Sequence, residues 1–155
     1  MPKVRKILAL TDFSDLSKVG IRYALEMARD ISAEVLVYHA IDVGEQWTNR
    51  RTQVSLYRNL LEESRRLLDR FLADNFADCI DLVEVRQVVE FGRAHKNIVD
   101  EAATEGVDII VISTHGRTGI EHVILGSVTE KVVARAPCPV LVVPRYELSA
   151  MAAAA

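Results

Sequence analysis

The sequence predicts an α/β fold in which a parallel sheet of five strands lies between two layers of helices. Short aliphatic runs recur along the 155 residues, and amphipathic helical patterns alternate with them. Strands that are apolar at every position are typical of a parallel sheet buried on both faces. Regular alternation with helices implies right-handed crossovers and a three-layer sandwich.

Four strands are predicted from apolar runs and one from a mixed segment. The apolar runs are Ile7–Leu10, Val35–Tyr38, Ile109–Ile112 and Val140–Val143. The segment from Ile80 to Val89 mixes charged with apolar residues, which predicts a partly exposed edge strand. The expected strand order is 3-2-1-4-5, so the last strand lies at the other edge.

Four helical patterns lie between the strands. The third is predicted from about Ala94 to Glu105, with Gly106 as its left-handed C-terminal residue. The fourth begins near Ser127 and ends at Ala136, before Pro137. The first two carry apolar residues at a spacing of three to four, namely Leu16, Val19, Tyr23, Met27 and Ile31 in the first, and Tyr57, Leu60, Leu61, Leu68, Phe71 and Leu72 in the second.

The composition excludes several classes of protein. With 50% hydrophobic and 26% charged residues, the chain is not generally disordered. A net charge of -3 argues against non-specific nucleic-acid binding. No apolar run approaches the roughly 20 residues that span a membrane. The N-terminus lacks the pattern of a signal peptide, and Cys79 and Cys138 form no disulfide framework, so we expect a cytoplasmic protein.

The length predicts one domain, over residues 1–146. Residues 147–155 form an alanine-rich tail that we expect to be disordered and to which no role is assigned. Residues 42–52 form a longer loop without a clear pattern.

Candidate ligand-binding residues follow the strands, because open α/β sheets bind ligands beyond the carboxyl ends of their strands. The segments are Thr11–Ser14, His39–Asp42 and Ser113–Gly119, the last continuing to Gly126 and Ser127. Gly116 and Gly119 let the backbone approach a ligand closely. Arg117 adds a positive charge, and the helix that opens at Ser127 favours an anion through its free amide groups.

The same residues have a purely structural interpretation. Glycines after a strand are often turn residues, and Ser127 to Glu130 read as a capping box that needs no ligand. The chain has neither a GxxxxGK[ST] loop nor a GxGxxG motif after its first strand. From spacing alone, both interpretations remain open.

These segments resemble the universal stress protein family. The resemblance rests on Thr114–Gly119, Leu125–Val132 and Ala136–Val143, and Ile7–Ser14 and Tyr38–Asp42 match as well. The resemblance extends over residues 3 to 144, and the matching segments occur in the same order and at the same spacing as in the family. It implies a UspA-like domain with a Rossmann-like fold of the adenine nucleotide alpha hydrolase type and a role in the stress response.

The family has one branch that binds ATP and one that does not. The binding branch carries Gly-x-x-Gly, nine residues, then Gly-Ser or Gly-Thr. Gly116, residues 117–125 and Gly126-Ser127 match this pattern, whereas Ser113 takes the place of the first glycine. Two functions therefore stay open: a switch that binds ATP at the carboxyl ends of the first and fourth strands, and an interaction module of the same fold that works through protein partners without a nucleotide.

The resemblance also assigns roles to single residues. Asp12 contacts the nucleoside, Ala40 lines the adenine pocket, and the residues after the fourth strand hold base, ribose and phosphates. Asp12 also has a structural interpretation, as a residue that starts the first helix. The resemblance allows Mg²⁺ or Mn²⁺ on the phosphates, although no carboxylate cluster specifies a metal. The complete set is Leu10, Thr11, Asp12, Ala40, Ile112, Ser113, His115, Gly116, Arg117, Gly119, Gly126, Ser127 and Val128.

No catalytic residue is predicted. His115 is not joined by a nucleophile and an acid, so weak or no ATP hydrolysis is expected. His39, His95 and His122 lack metal-ligand spacing. A phosphoacceptor receiver domain is excluded because Glu90 follows the third strand where aspartate is required, and no lysine follows the fifth. A flavin carrier is excluded because the glycine loop has no aromatic residue.

A homodimer is predicted through the last strand. Val140–Val143 contains no charge or proline, although an edge strand normally carries such protection against pairing with other strands. An antiparallel pairing with a second copy about a two-fold axis covers this edge most simply, and the resemblance supports it. The alternative is a monomer in which residues 145–150 fold back over the edge.

Overall fold

The computed structural model describes residues 3–44, 53–114 and 125–144. His115, Gly116, Arg117 and Gly119, most of the loop predicted over residues 42–52, and the tail predicted over residues 147–155 lie outside this part. The elements are β1 (Lys6–Leu10), α1 (Asp15–Ile31), β2 (Glu34–Ile41), α2 (Gln53–Phe76), a 3₁₀ turn (Ile80–Leu82), β3 (Glu84–Phe91), α3 (Ala94–Glu105), β4 (Ile109–Ser113), α4 (Ser127–Arg135) and β5 (Val140–Val143).

The predicted sheet is confirmed. Its five strands are all parallel and lie in the order β3-β2-β1-β4-β5. Leu8 of β1 pairs with Leu36 of β2 on one side and with Ile110 of β4 on the other. All three side chains are fully buried. The continuous apolar runs arise because both faces of the central strands are covered.

The strands divide their side chains between two cores. Ile7, Ala9 and Val35 pack with residues of α1 and α2 on one face of the sheet. Leu8 and Leu36 pack with residues of α3 and α4 on the other face. This alternation follows from the two-residue period of a strand. The helices therefore form the two outer layers.

Several predicted strand boundaries were wrong. The segment from Ile80 begins as a 3₁₀ turn, and β3 starts only at Glu84 because each of its residues pairs with one of β2. β2 extends to Ile41, so the residues from His39 to Ile41 belong to the strand itself. Glu90 does not follow β3 but lies within it, opposite Ala40.

The predicted apolar stripe of α1 was only partly correct. Tyr23 and Ile31 are 36% and 39% exposed. The buried face runs instead through Gly20, Ala24 and Ala28, together with Leu16 and other residues. Small residues let the helix lie close to the sheet, and a search for large apolar side chains overlooks them. The predicted bounds of α3 agree with the structure.

A network of charges joins the elements at the amino ends of the strands. Lys6 Nζ lies 3.2 Å from Glu105 Oε2 and 3.8 Å from Glu34 Oε2. Arg86 Nε lies 3.2 Å from Glu34 Oε1, and the Arg86 guanidinium also donates to Glu105. Hydrogen bonds from Arg86 and Lys6 lower the pKa of Glu105 from 4.5 to about 2. The network connects β1, β2 and β3 to the end of α3.

We expect Glu105→Gln to lower the free energy of unfolding at pH 7 by up to about 1 kcal/mol, the usual upper range for exposed ion pairs. Because the folded pKa lies below the unfolded one, the carboxylate contributes its full stability above pH 4.5. This contribution is lost as the pH falls from 4.5 towards 2. Urea unfolding of the wild type and of Glu105→Gln between pH 7 and pH 3.5 should show that the difference between their free energies of unfolding decreases as the pH falls.

Asp100→Asn is the matched control, because Asp100 forms a single exposed pair with Lys96 at 3.1 Å. Its effect at pH 7 should be smaller than that of Glu105→Gln. A difference between wild type and Glu105→Gln that grows towards acid pH would contradict the assignment.

Candidate functional site

A cavity of about 320 Å³ opens at the carboxyl ends of β1, β2 and β4. This volume lies in the range of small-molecule sites. The residues that sequence reasoning assigned and the structure describes all line it: Leu10, Thr11, Asp12, Ala40, Ile112, Ser113, Gly126, Ser127 and Val128. The remaining assigned residues, His115, Gly116, Arg117 and Gly119, lie outside the described part of the chain.

The turn from β1 to α1 is held by hydroxyl groups. The Thr11 amide donates to Tyr38 O at 2.9 Å, which continues the ladder between β1 and β2. Thr11 Oγ1 accepts from Phe13 N at 2.9 Å. Ser17 Oγ donates to Ser14 O at 2.8 Å, so the Thr11 hydroxyl is the donor in its 2.9 Å contact with Ser17 Oγ. These bonds hold Phe13 in a left-handed conformation, with a φ of 64°.

Asp12 is half-buried in the cavity wall. Its Oδ1 accepts from Ser14 N at 3.0 Å, and Ser14 is the N-cap residue of α1, accepting from Ser17 N at 3.2 Å. Asp12 therefore supports the turn before the helix without being its cap. The structural and binding interpretations of this residue are compatible.

His39 also lines the cavity. Sequence reasoning placed it in the candidate segment His39–Asp42 and found no metal-ligand spacing for it, but did not include it in the assigned set of site residues. Its Nδ1 lies 2.9 Å from Thr11 O. Because a carbonyl oxygen only accepts, Nδ1 carries the proton, and in the neutral ring Nε2 bears the lone pair. The ring lies against Phe13, with centroids 4.3 Å apart. In the described ranges, no cluster of His, Cys, Asp and Glu side chains could hold a metal ion.

Part of the cavity wall is apolar. It is lined by Tyr38, Ala40, Ala94, Ile98 and Ile112. Tyr38 Oη donates to Glu90 Oε2 at 2.9 Å. Burial, reinforced by the Glu90 carboxylate, raises the pKa of Tyr38, so its hydroxyl stays neutral. This part of the wall suits a flat apolar group such as a base.

The N-terminus of α4 forms another part of the cavity wall. The N-cap residue is Gly126, with a φ of -68° and no capping side chain. Its amide donates to Thr114 O, which holds the helix start against the end of β4. The predicted capping box, with Ser127 as the cap, was therefore wrong by one residue. Since glycine offers no side-chain acceptor, the first amide groups of α4 are suited to an anion.

Ser113 forms hydrogen bonds with both α1 and α4. Its Oγ donates to Leu16 O in the first turn of α1 at 2.8 Å. Its carbonyl accepts from Thr129 Oγ1 of α4 at 2.8 Å. Ser17 and Thr129, which also line the cavity, were missed by sequence reasoning. A hydroxyl inside a helix leaves no periodic signal in the sequence.

Comparison with known proteins agrees with this architecture. The sequence matches the universal stress protein family over residues 3–144. The universal stress protein MJ0577 of Methanocaldococcus jannaschii is 31% identical, with 91% of this chain and 95% of that protein covered. A second protein of that organism, universal stress protein MJ0531, is 30% identical, with coverages of 91% and 82%.

Solved structures agree as well. That of MJ0577 superposes with a TM-score of 0.79 at 32% identity, covering 93% of this chain and 98% of the other. A universal stress protein in complex with cAMP has a TM-score of 0.60 at 21% identity, covering 92% and 98%, and shows the shared fold. The match over nearly the whole chain, in sequence and in fold, shows that this protein belongs to the universal stress protein family.

Proposed function

We propose that this protein binds ATP in the cavity at the carboxyl ends of β1 and β4 and acts as a nucleotide-dependent switch in a stress response. The observation that carries the proposal is that one cavity combines apolar lining residues, among them Ala40 and Ile112, with the N-terminus of α4, whose N-cap residue Gly126 has no capping side chain. An adenine nucleotide has the matching asymmetry, with an apolar base at one end and phosphates at the other. A universal stress protein of the same fold has been solved with cAMP.

Each part of the cavity has a proposed role. The base lies against Ala40 and Ile112, and Asp12 contacts the nucleoside. The phosphates lie against the amide groups at Gly126, Ser127 and Val128, where the helix dipole favours negative charge. A Mg²⁺ or Mn²⁺ ion, when bound, neutralises phosphate charge, and the phosphates supply most of its ligands.

The alternative is an interaction module that binds no nucleotide. The presence of serine at position 113 favours it, whereas the cavity and the open start of α4 oppose it. Heating the purified protein and identifying any released nucleotide by absorbance and chromatography separates the two functions.

A cytoplasmic location is part of the proposal. Cys79 and Cys138 are both free, and burial raises the pKa of each thiol. Such thiols are compatible with a reducing compartment. No helix in the described ranges has the length and apolar character needed to cross a membrane.

We expect Gly126→Val to lower the affinity for ATP at least tenfold, or about 1.4 kcal/mol, by isothermal titration calorimetry. The backbone at Gly126 has a φ of -68°, which any residue adopts, so the variant can fold. Its side chain would stand where the phosphates pass. Unchanged ATP affinity in a folded variant would show that the phosphates do not bind at the N-terminus of α4.

Gly126→Asp is the matched variant, because its two effects have opposite signs. An aspartate at the N-cap raises the free energy of unfolding by a few tenths of a kcal/mol relative to glycine. The same carboxylate occupies the first amide groups and repels phosphate, so ATP affinity should fall more than tenfold. Adenosine, which has no phosphates, should bind as it does to the wild type.

We also propose a homodimer through β5. This strand lies at the edge of the sheet, and Val140, Leu141 and Val142 are only half-buried. The opposite edge strand, β3, carries exposed Glu84 and Arg86. The contrast supports an occupant along β5, and a second copy running antiparallel is the simplest one.

We expect the wild type to be a dimer by light scattering and Val142→Lys to be a monomer, because a charge would be buried between the strands. Val133→Lys, at a position 45% exposed on α4, is the control and should remain dimeric. A wild-type monomer, or a dimer that is indifferent to the lysine at position 142, would contradict the pairing.

A further inference from the structure

Ser113 forms hydrogen bonds with two helices, α1 and α4. It ends β4 and is 8% exposed. Its hydroxyl donates to Leu16 O of α1 at 2.8 Å, and its carbonyl accepts from Thr129 Oγ1 of α4 at 2.8 Å. The side chain thereby adds a tie that a glycine or alanine at this position would lack.

Gly20 is fitted to this side chain. A Cβ at Gly20 would lie 3.2 Å from Ser113 Oγ, which is tighter than ordinary van der Waals contact. The next nearest atoms are Ser113 N at 3.8 Å and Val111 Cγ1 at 4.0 Å, which leave enough room. Glycine inside a helix costs about 1 kcal/mol relative to alanine. The Ser113 hydroxyl is therefore the group with which a larger residue at position 20 would collide, and glycine avoids this collision.

The hydrogen bond from Ser113 to Leu16 lies next to further hydrogen bonds in the wall of the cavity. Leu16 precedes Ser17, whose hydroxyl accepts from Thr11 and donates to Ser14 O. In the described ranges, the residues Thr11, Ser17, Ser113 and Thr129 are the buried serines and threonines, and all of them line this cavity. The buried hydroxyl groups of the core are thus gathered where the ligand is expected.

We propose that Ser113 is a positioning residue of the nucleotide site. Its hydroxyl holds the first turn of α1 against the end of β4, and the turn from Thr11 to Ser14 that bears Asp12 is fixed with it. Gly20 leaves the space that this contact requires. The inference rests on the proposed nucleotide binding. Since the hydroxyl is engaged with Leu16 O, serine at this position supports the cavity wall and does not obstruct the ligand.

The first test is Ser113→Ala, which removes the hydroxyl and keeps the Cβ. We expect calorimetry to show ATP and adenosine losing affinity by the same factor, about threefold to tenfold, because one neutral hydrogen bond is lost at the nucleoside end. Gly126→Asp should weaken ATP alone. Amide hydrogen exchange in the ligand-free variant should become faster at residues 12–17.

Gly20→Ala gives a second test through non-additivity. With Ser113 present, the new Cβ pushes the Ser113 hydroxyl aside by a few tenths of an ångström, so Gly20→Ala should lower adenosine affinity, although by less than Ser113→Ala does. In the Ser113→Ala background the space is free, so Gly20→Ala should cause no further loss and should raise the stability of the helix. This double-mutant cycle reports on the contact itself.

Asn75→Ala is the control for general stability. Asn75 Nδ2 donates to the helical carbonyl of Phe71 at 2.7 Å, a bond of the same kind outside the cavity. This variant should be less stable to urea and should bind adenosine as the wild type does.

The outcomes are distinct. If the wild type binds neither ATP nor adenosine, the proposed function fails and the positioning role fails with it. If the wild type binds both and Ser113→Ala binds them equally well, only the positioning role is overturned. Additive effects of Gly20→Ala and Ser113→Ala on adenosine affinity would also overturn it.

Discussion

The site depends on the register that places β1 between β2 and β4. Leu8 pairs with Leu36 and with Ile110, and this alignment brings the ends of the three strands to one edge. The ladder continues past the strands, since Thr11 N donates to Tyr38 O and Thr114 N donates to Val143 O. A shift by one residue would turn every core side chain to the other face of the sheet. The cavity therefore cannot move without unfolding the core.

The two ends of the sheet use different chemistry. At the amino ends, Lys6, Glu34, Arg86 and Glu105 form a charged network that remains partly exposed. At the carboxyl ends, Ser17, Ser113 and Thr129 are buried, neutral residues whose hydroxyls donate to backbone carbonyls. Neutral hydroxyls can be buried once they are paired, whereas charges require compensation. These hydroxyls keep the buried part of the cavity wall uncharged, whereas the half-buried Asp12 contributes a carboxylate to it.

The sequence predicted the parts of the fold that depend on local pattern. Ile109–Ile112 identified β4 because this central strand is apolar throughout and buried from Ile110 onward, and Gly106 marked the end of α3. The start of β3 could not be predicted, because pairing with β2 sets it. The roles of Ser17 and Thr129 were equally hidden, because their partners lie on other elements or across a turn. The predicted capping box was wrong because the N-cap residue is Gly126, one residue before Ser127, and its amide donates to Thr114 O at the end of β4.

Locally unfavourable choices gather at the same edge of the sheet. Phe13 has a φ of 64°, a conformation that costs a bulky residue about 1 to 3 kcal/mol. Gly20 lies inside a helix, and Gly126 takes a cap position that serine or aspartate would fill better. Ser32 also has a positive φ of 57°, but it ends α1 in the usual left-handed manner. Natural sequences break local rules mainly at functional sites. Gly126 lines the cavity, Phe13 follows the lining residue Asp12, and Gly20 lies against Ser113, so the three departures lie beside the same cavity. This placement supports the proposed binding role, because stability alone gives no reason to bring them together.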